Sequence, residues 1–136
     1  MIVIDASVAA GWCFADEASP AGDAVLERVR VEGAQVPSLW HLEVANVLRQ
    51  AERRDRISAT ETSLRLELLA QLPIATDGNT VRRAWAQTLA LARSYTLTVY
   101  DAAYLELAVR LRLSLASKDK KLLAAARECK VPVLAC

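Results

Sequence analysis

The chain has 136 residues, 54% of them hydrophobic, and its 17 basic and 16 acidic residues give a net charge of +1. This length suits one domain with a single core, and the balanced charge excludes a global field that would draw the chain to nucleic acid or membrane. Three cysteines without metal-type spacing and one histidine exclude a usual zinc site and a two-histidine nuclease. We expect one domain over residues 1–136, no signal peptide, no membrane span and a cytoplasmic location.

Short apolar segments alternate with longer segments of helical periodicity. Strands are predicted at residues 2–4, 36–37, 72–74, 113–116 and 131–134. Helices are predicted from the N-cap Ser38 to about residue 53, from Ser58, and at residues 77–94, 100–111 and 119–129. Ser58 and Glu61 have the spacing of a capping box. Alternating strands and helices predict an α/β fold with a parallel sheet covered on both faces.

Three acidic residues fall where a predicted strand ends or a predicted helix begins. Asp5 directly follows the first strand, Asp101 lies in the first turn of helix 100–111, and Asp119 stands between the fourth strand and the last helix. Each could simply cap or stabilise a helix N-terminus. However, the carboxyl ends of parallel strands meet at one edge of the sheet, where ligands bind in such folds. We therefore expect these three carboxylates to lie near one another.

Glu43 is the fourth acidic candidate, on the helix that begins near Ser38. Its neighbours three and four positions away are Leu39, Trp40, Asn46 and Val47, so it points near an apolar face where an unpaired carboxylate is costly. The alternative is a boundary glutamate whose carboxylate reaches water. Four close carboxylates would repel one another, and a divalent cation removes that repulsion. Oxygen ligands without His or Cys favour Mg²⁺ or Mn²⁺, which suits phosphodiester hydrolysis.

Four segments around these acids stand in a characteristic order: IVIDASV at 2–8, PSLWHLEVANVL at 37–48, LTVYDAAYL at 97–105 and LASKDKKL at 115–122. In these segments and their order the sequence resembles the PIN-domain family, and within it the VapC toxins of bacterial and archaeal toxin–antitoxin pairs. The resemblance covers essentially the whole chain. One departure is mild, because the position two residues before the fourth acid is often Thr in the family and is Ser117 here, which keeps the hydroxyl.

The resemblance implies a three-layer α/β/α sandwich with a central parallel sheet and Mg²⁺- or Mn²⁺-dependent endoribonuclease activity on RNA. It also implies a homodimer, which the high apolar content independently favours, and inhibition by a cognate VapB-like antitoxin on a separate chain. By match to the family's motifs, the catalytic acids are Asp5, Glu43, Asp101 and Asp119. Of these, the implied metal ligands are Asp5, Asp101 and Asp119. The implied supporting residues are Ser7, Asn46, Thr98 and Ser117.

The remaining features allow alternatives. Three lysines around the fourth acid could hold RNA phosphates, or could form an ordinary solvated helix start: Lys118, Lys120 and Lys121. Core or interface positions are expected for the three tryptophans, Trp12, Trp40 and Trp85. A haloacid-dehalogenase-like phosphatase is one rival, but it usually has a second Asp where this chain has Ser7. A non-catalytic PIN scaffold is another, but such scaffolds typically lose the acids that this chain keeps.

Overall fold

The computed structural model describes residues 1–136, and its centre is one parallel sheet of five strands. The strands are β1 (Ile2–Ile4), β2 (Ala34–Val36), β3 (Ile74–Thr76), β4 (Ser114–Ser117) and β5 (Val133–Ala135). Their order across the sheet is β3-β2-β1-β4-β5, with every neighbouring pair parallel. All five predicted strands are therefore confirmed: β1 has the predicted bounds, and the other four have ends shifted by one or two residues.

Helices cover both faces of this sheet. They are α1 (Ala6–Trp12), α2 (Pro20–Glu32), α3 (Trp40–Arg53), α4 (Ala59–Ala70), α5 (Thr80–Arg83), α6 (Leu89–Tyr95), α7 (Val99–Leu111) and α8 (Lys120–Glu128). Successive side chains of a strand point to opposite faces, and all three residues of β1 are completely buried. The predicted α/β architecture, a sheet between two helical layers, is thus confirmed. None of the helices is both long and apolar enough to cross a membrane.

The structure corrects three details of the predicted helices. Ser38 is not the N-cap of α3, because the backbone N–H of Trp40 donates to the carbonyl of Pro37 in a preceding turn, and the helix begins one residue after Leu39. The predicted helix 77–94 is α5 and α6 joined by a π-helical turn at Ala84–Thr88. Helices α1 and α2 were not among the predicted helices, although the ends of α2 have ordinary signals: a Ser-Pro start and a glycine with φ of 80° at its end.

A partly buried group of four charged side chains, with Glu106 at its centre, connects α7 to the rest of the fold. Glu106 is 4% exposed and accepts hydrogen bonds from Arg83 Nε (2.6 Å) and Arg110 Nε (2.8 Å). Arg110 also donates from both terminal nitrogens to the carboxylate of Asp77, which follows β3 (3.2 and 2.7 Å). This bidentate arrangement is the strong geometry for an Arg–carboxylate pair. It links α7, which carries Asp101, to the end of β3 and to α5.

Candidate acidic site

The topology itself creates a crevice between β1 and β4. The chain runs outward from β1 through β2 to β3, then crosses back to β4 and continues outward to β5. The connection after β1 leads toward β2, and the connection after β4 leads the opposite way toward β5. Open parallel sheets bind ligands in the crevice between two such connections. Asp5 follows β1 and its backbone N–H donates to the carbonyl of Ala116 in β4 (3.2 Å), while Asp119 follows β4. Both acids therefore lie where the sequence placed them, at the carboxyl edge of the sheet.

Asp5 is the most enclosed of the four acids. It caps α1: its Oδ1 accepts from the backbone N–H of Val8 (3.2 Å) and from the hydroxyl of Ser7 (2.5 Å), and its Oδ2 accepts from the hydroxyl of Ser117. Burial raises the pKa of Asp5; these hydrogen bonds oppose the rise, and the carboxylate of Asp101 adds to it. The carboxylate is thus held in one orientation in a setting where its negative charge is costly.

Two hydroxyl groups connect Asp5 to the loop after β4. Ser117 Oγ accepts the backbone N–H of Asp119 (2.9 Å), and Ser7 Oγ accepts the backbone N–H of Lys118 (3.2 Å). Each hydroxyl therefore donates to the carboxylate and accepts from the loop. The structure brings both of these predicted supporting residues into direct contact with the first acid.

Asp101 and Asp119 stand at the starts of two helices, as predicted. Thr98 is the N-cap of α7, and its Oγ1 accepts the backbone N–H of Asp101 (3.1 Å). Burial raises the pKa of Asp101, and the carboxylate of Asp119 raises it further, while Thr98 and Lys121 oppose the rise. Asp119 caps α8 through its Oδ1, so both roles of this residue, helix cap and member of the acidic group, are compatible.

Glu43 is half-buried on α3, as its apolar neighbours predicted. Its Oε1 accepts a hydrogen bond of 2.5 Å from the phenolic hydroxyl of Tyr104 on α7. Burial raises the pKa of Glu43; the Tyr104 hydroxyl opposes this, and the carboxylates of Asp101 and Asp5 raise it further. The sequence analysis missed Tyr104, although its position three residues after Asp101 on the same helix was a usable signal.

The four carboxylates influence one another electrostatically. Asp101 raises the pKa of Asp5 and of Glu43, and is itself raised by Asp119. No three acidic, histidine or cysteine side chains lie close enough to form a ready-made ligand group for a metal ion. An oxygen-only set of this kind fits Mg²⁺, which uses one or two carboxylates and keeps several waters, better than an ion that needs a complete protein cage.

The other predicted site residues lie farther out. Asn46 is exposed on α3. Lys118 is partly buried and its Nζ lies 3.4 Å from Glu17 Oε1, so its charge is already paired. Lys120 and Lys121 are exposed at the start of α8 beside Asp119. The structure therefore separates Lys118 from the two lysines that are free to face solvent.

The tryptophans divide in a similar way. Trp40 is 5% exposed in the core, and Trp12 is partly buried with its Nε1 donating to the carbonyl of Gly22 (3.0 Å). These two confirm the expected packing role. Trp85 lies in the π-helical turn and is 92% exposed, four residues from Val81, which is 82% exposed. A core position is thus wrong for Trp85.

Comparison with known proteins agrees with this architecture. Solved structures with the same fold include PAE2754 from Pyrobaculum aerophilum, which is 22% identical with a TM-score of 0.71. The match covers 98% of this chain and 90% of PAE2754. FitAcB from Neisseria gonorrhoeae is 17% identical with a TM-score of 0.64, covering 98% and 96%. A toxin–antitoxin complex from Klebsiella pneumoniae is 17% identical with a TM-score of 0.57, covering 91% of each chain.

Sequence comparison identifies a relative and a family in addition to the shared fold. The chain is 34% identical over 126 residues to Ribonuclease VapC12 of Mycobacterium tuberculosis, covering 90% of this chain and 89% of that protein. Residues 2–128 match the family described as PIN domain. That match includes the carboxyl edge of the sheet and all four acids described above. The chain therefore belongs to the PIN-domain family.

Proposed function

We propose that this protein is a divalent-metal-dependent endoribonuclease that acts as the toxin of a VapBC-type toxin–antitoxin pair. The observation that carries the proposal is a series of electrostatic interactions that links the carboxylates of Asp5, Glu43, Asp101 and Asp119 near the β1–β4 crevice. Burial is the largest cause that raises the pKa values of Asp5, Glu43 and Asp101, and a neighbouring carboxylate of the group adds to the rise in each case. A relative named as a ribonuclease over nearly the whole chain supports RNA as the substrate.

The metal ligands in this proposal are Asp5, Asp101 and Asp119, with Mg²⁺ or Mn²⁺ as the ion; because these side chains form no ready-made ligand group, water would complete the coordination. Ser7 and Ser117 hold Asp5 from both sides, which fixes the orientation of its carboxylate. Bound Mg²⁺ would supply a more acidic water and would stabilise the charge that develops on the leaving oxygen. The observation that fits the ion is the donor set, which contains only carboxylate oxygens whose charges need compensation.

Glu43 has a different role in the proposed reaction. Its Oε1 is occupied by Tyr104, and its Oε2 makes no hydrogen bond within the chain. Because its pKa is raised by burial, it is a better proton acceptor than an ordinary glutamate. We assign Glu43 Oε2 to accept a proton from the water whose oxygen bonds to phosphorus. The bond between phosphorus and the RNA ester oxygen breaks, and that oxygen leaves as an alkoxide that takes a proton from solvent. Lys120 and Lys121 would hold neighbouring phosphates at the exposed rim.

Cleavage of labelled RNA by the purified protein tests this function. We expect cleavage with Mg²⁺ or Mn²⁺, loss of cleavage with excess EDTA, and recovery when the metal is restored. An aryl phosphate monoester serves as the second substrate, because a dehalogenase-like phosphatase would hydrolyse it and an endoribonuclease would not. Metal-independent cleavage, or hydrolysis of the monoester alone, would contradict the proposal. Inactivity on all substrates, with no metal binding, would favour the scaffold alternative.

The proposed partners follow from surfaces outside the acidic site. An apolar groove of about 420 Å³ lies between α3 and α4 and is lined mainly by Trp40, Val44, Leu66, Leu69 and Leu72. It suits the apolar face of an antitoxin helix, and a basic antitoxin side chain would pair with the acidic site. The toxin–antitoxin complex from Klebsiella pneumoniae among the fold neighbours supports such a partner. The exposed Trp85 and Val81 support a homodimer. We also propose that the protein is located in the cytoplasm.

A further inference from the structure

Tyr104 is a polar side chain in a position that an apolar residue would fill at lower cost. It is 1% exposed and is among the largest fully buried side chains of the core. A buried phenol needs a hydrogen-bond partner for its hydroxyl, because an unpaired polar group in the core is destabilising. That partner is Glu43 Oε1 at 2.5 Å, on a helix 61 residues earlier in the chain. The hydroxyl therefore donates to one of the four acids, and it also accepts a backbone hydrogen bond from Ala6.

The contact determines what Glu43 can do. A glutamate side chain has three rotatable bonds, and no hydrogen bond other than that from Tyr104 holds the Glu43 carboxylate. Burial, and then Glu43 itself, raise the pKa of Tyr104 well above its usual range, so the hydroxyl keeps its proton and remains the donor. A donor to a charged carboxylate makes a shorter and stronger bond than one to a neutral acceptor. Oε1 is thus fixed and Oε2 is left free.

We propose that Tyr104 is a positioning residue that orients the Glu43 carboxylate from the core side so that its Oε2 faces the reacting water. This inference rests on the proposed nuclease function. Tyr104 is too buried to touch RNA, so it acts only through Glu43. Since Tyr104 and Asp101 lie on the same helix, α7 sets the position of two acids: one directly and one through a hydrogen bond. The geometry of the site then depends on the packing of α7 against α3.

The Tyr104→Phe variant tests this, because it removes one oxygen and keeps the ring that fills the core. We expect kcat for RNA cleavage to fall roughly 10- to 100-fold, the range for loss of a hydrogen bond to a charged group. KM for RNA should stay the same, because Tyr104 does not contact the substrate. Tyr95→Phe is the matched control, since Tyr95 is partly buried on α6 away from the four acids. Unchanged kcat in Tyr104→Phe would overturn the proposal.

A double-mutant cycle separates positioning from a general packing defect. If Tyr104 acts through Glu43, adding Tyr104→Phe to Glu43→Gln should lower kcat by less than twofold further. Equal losses in both backgrounds would overturn the inference and leave the nuclease function standing. Carbon-13 NMR of the Glu43 carboxyl in metal-free protein gives a readout without RNA: its pKa should rise in Tyr104→Phe. If the pKa of Glu43 does not rise in Tyr104→Phe, the orienting hydrogen bond is absent and the inference is overturned. If that pKa rises but the wild-type protein does not cleave RNA, only the proposed function is overturned.

Discussion

Replacing Asp5 with Asn tests the acidic site with the smallest change to its surroundings. The amide keeps one carbonyl oxygen, which can still accept from the backbone of Val8 and from Ser7 as Oδ1 does now. The new NH₂ group can donate to Ser117 Oγ, whose hydroxyl now donates to Oδ2. Asn is also as good an N-cap as Asp. We therefore expect α1, and the fold, to remain intact.

The stability of the metal-free variant can be deduced from the raised pKa of Asp5. Because burial raises this pKa above its unfolded value, the folded protein binds the proton more tightly than the unfolded chain does. The stabilisation that this proton contributes to the folded wild type is fully present below about pH 4 and is lost as pH rises through the folded pKa. The loss in the free energy of unfolding is about 1.4 kcal/mol for each pH unit that separates the folded and unfolded pKa values. Asn carries no such cost. In EDTA at pH 7, Asp5→Asn should melt at or above the wild-type temperature, and this advantage should disappear near pH 4.

With Mg²⁺ present, the wild type should have the higher melting temperature and should cleave RNA faster than Asp5→Asn. Mg²⁺ at ten times its Kd should stabilise the wild type by about 1.4 kcal/mol, or roughly 5 °C in Tm for a domain of this size. The variant should lose most of that gain in Tm. Loss of about 4 kcal/mol of transition-state stabilisation corresponds to roughly a 10³-fold slower single-turnover cleavage of labelled RNA. Asp23→Asn, at an exposed position on α2, is the matched control and should change neither quantity.

Two results would refute this reasoning. Wild-type cleavage rates in Asp5→Asn would show that the first acid does not take part in the reaction. A metal-free Tm lower than wild type by about 10 °C or more, well beyond what one lost hydrogen bond produces, would show that the charge of Asp5 is a structural requirement. That outcome would conflict with the raised pKa of Asp5.

Three further predictions concern the rest of the chain. Arg110→Met leaves two buried acids with fewer partners and should lower the free energy of unfolding by about 3 kcal/mol in urea denaturation; a loss below about 1 kcal/mol would contradict that. Lys121→Ala should raise KM for RNA and reduce the dependence of binding on salt by about one counterion, with Lys130→Ala as an exposed control after α8. An unchanged salt slope would remove Lys121 from the RNA surface. Trp85→Asp should convert a homodimer to a monomer in light scattering, because Trp85 is the most exposed large apolar side chain. A dimer that persists would place the interface elsewhere.

Local patterns in the sequence were sufficient for the main features of the fold. The apolar run before Asp5 predicts a buried strand, and the order of strands and helices predicts a parallel sheet whose carboxyl edge collects Asp5 and Asp119. The apolar neighbours of Glu43 predict its half-buried position on α3. These predictions hold because they depend on periodicity and on the chain direction, which are properties of short segments. The predicted N-cap of α3, Ser38, was wrong, because a backbone hydrogen bond in the preceding turn determines where the helix begins.

Only the tertiary structure decided which side chains meet. Ser117 and Asp5 are 112 residues apart and make contact because β4 pairs with β1 in one register. Tyr104 reaches Glu43 across 61 residues because α7 and α3 pack with a particular rotation. A hydrogen bond requires donor and acceptor within about 3 Å, whereas a sequence pattern specifies only the face of a helix or strand. The elements that carry the four acids could therefore be predicted from the sequence, while the contacts that orient these side chains depend on long-range packing.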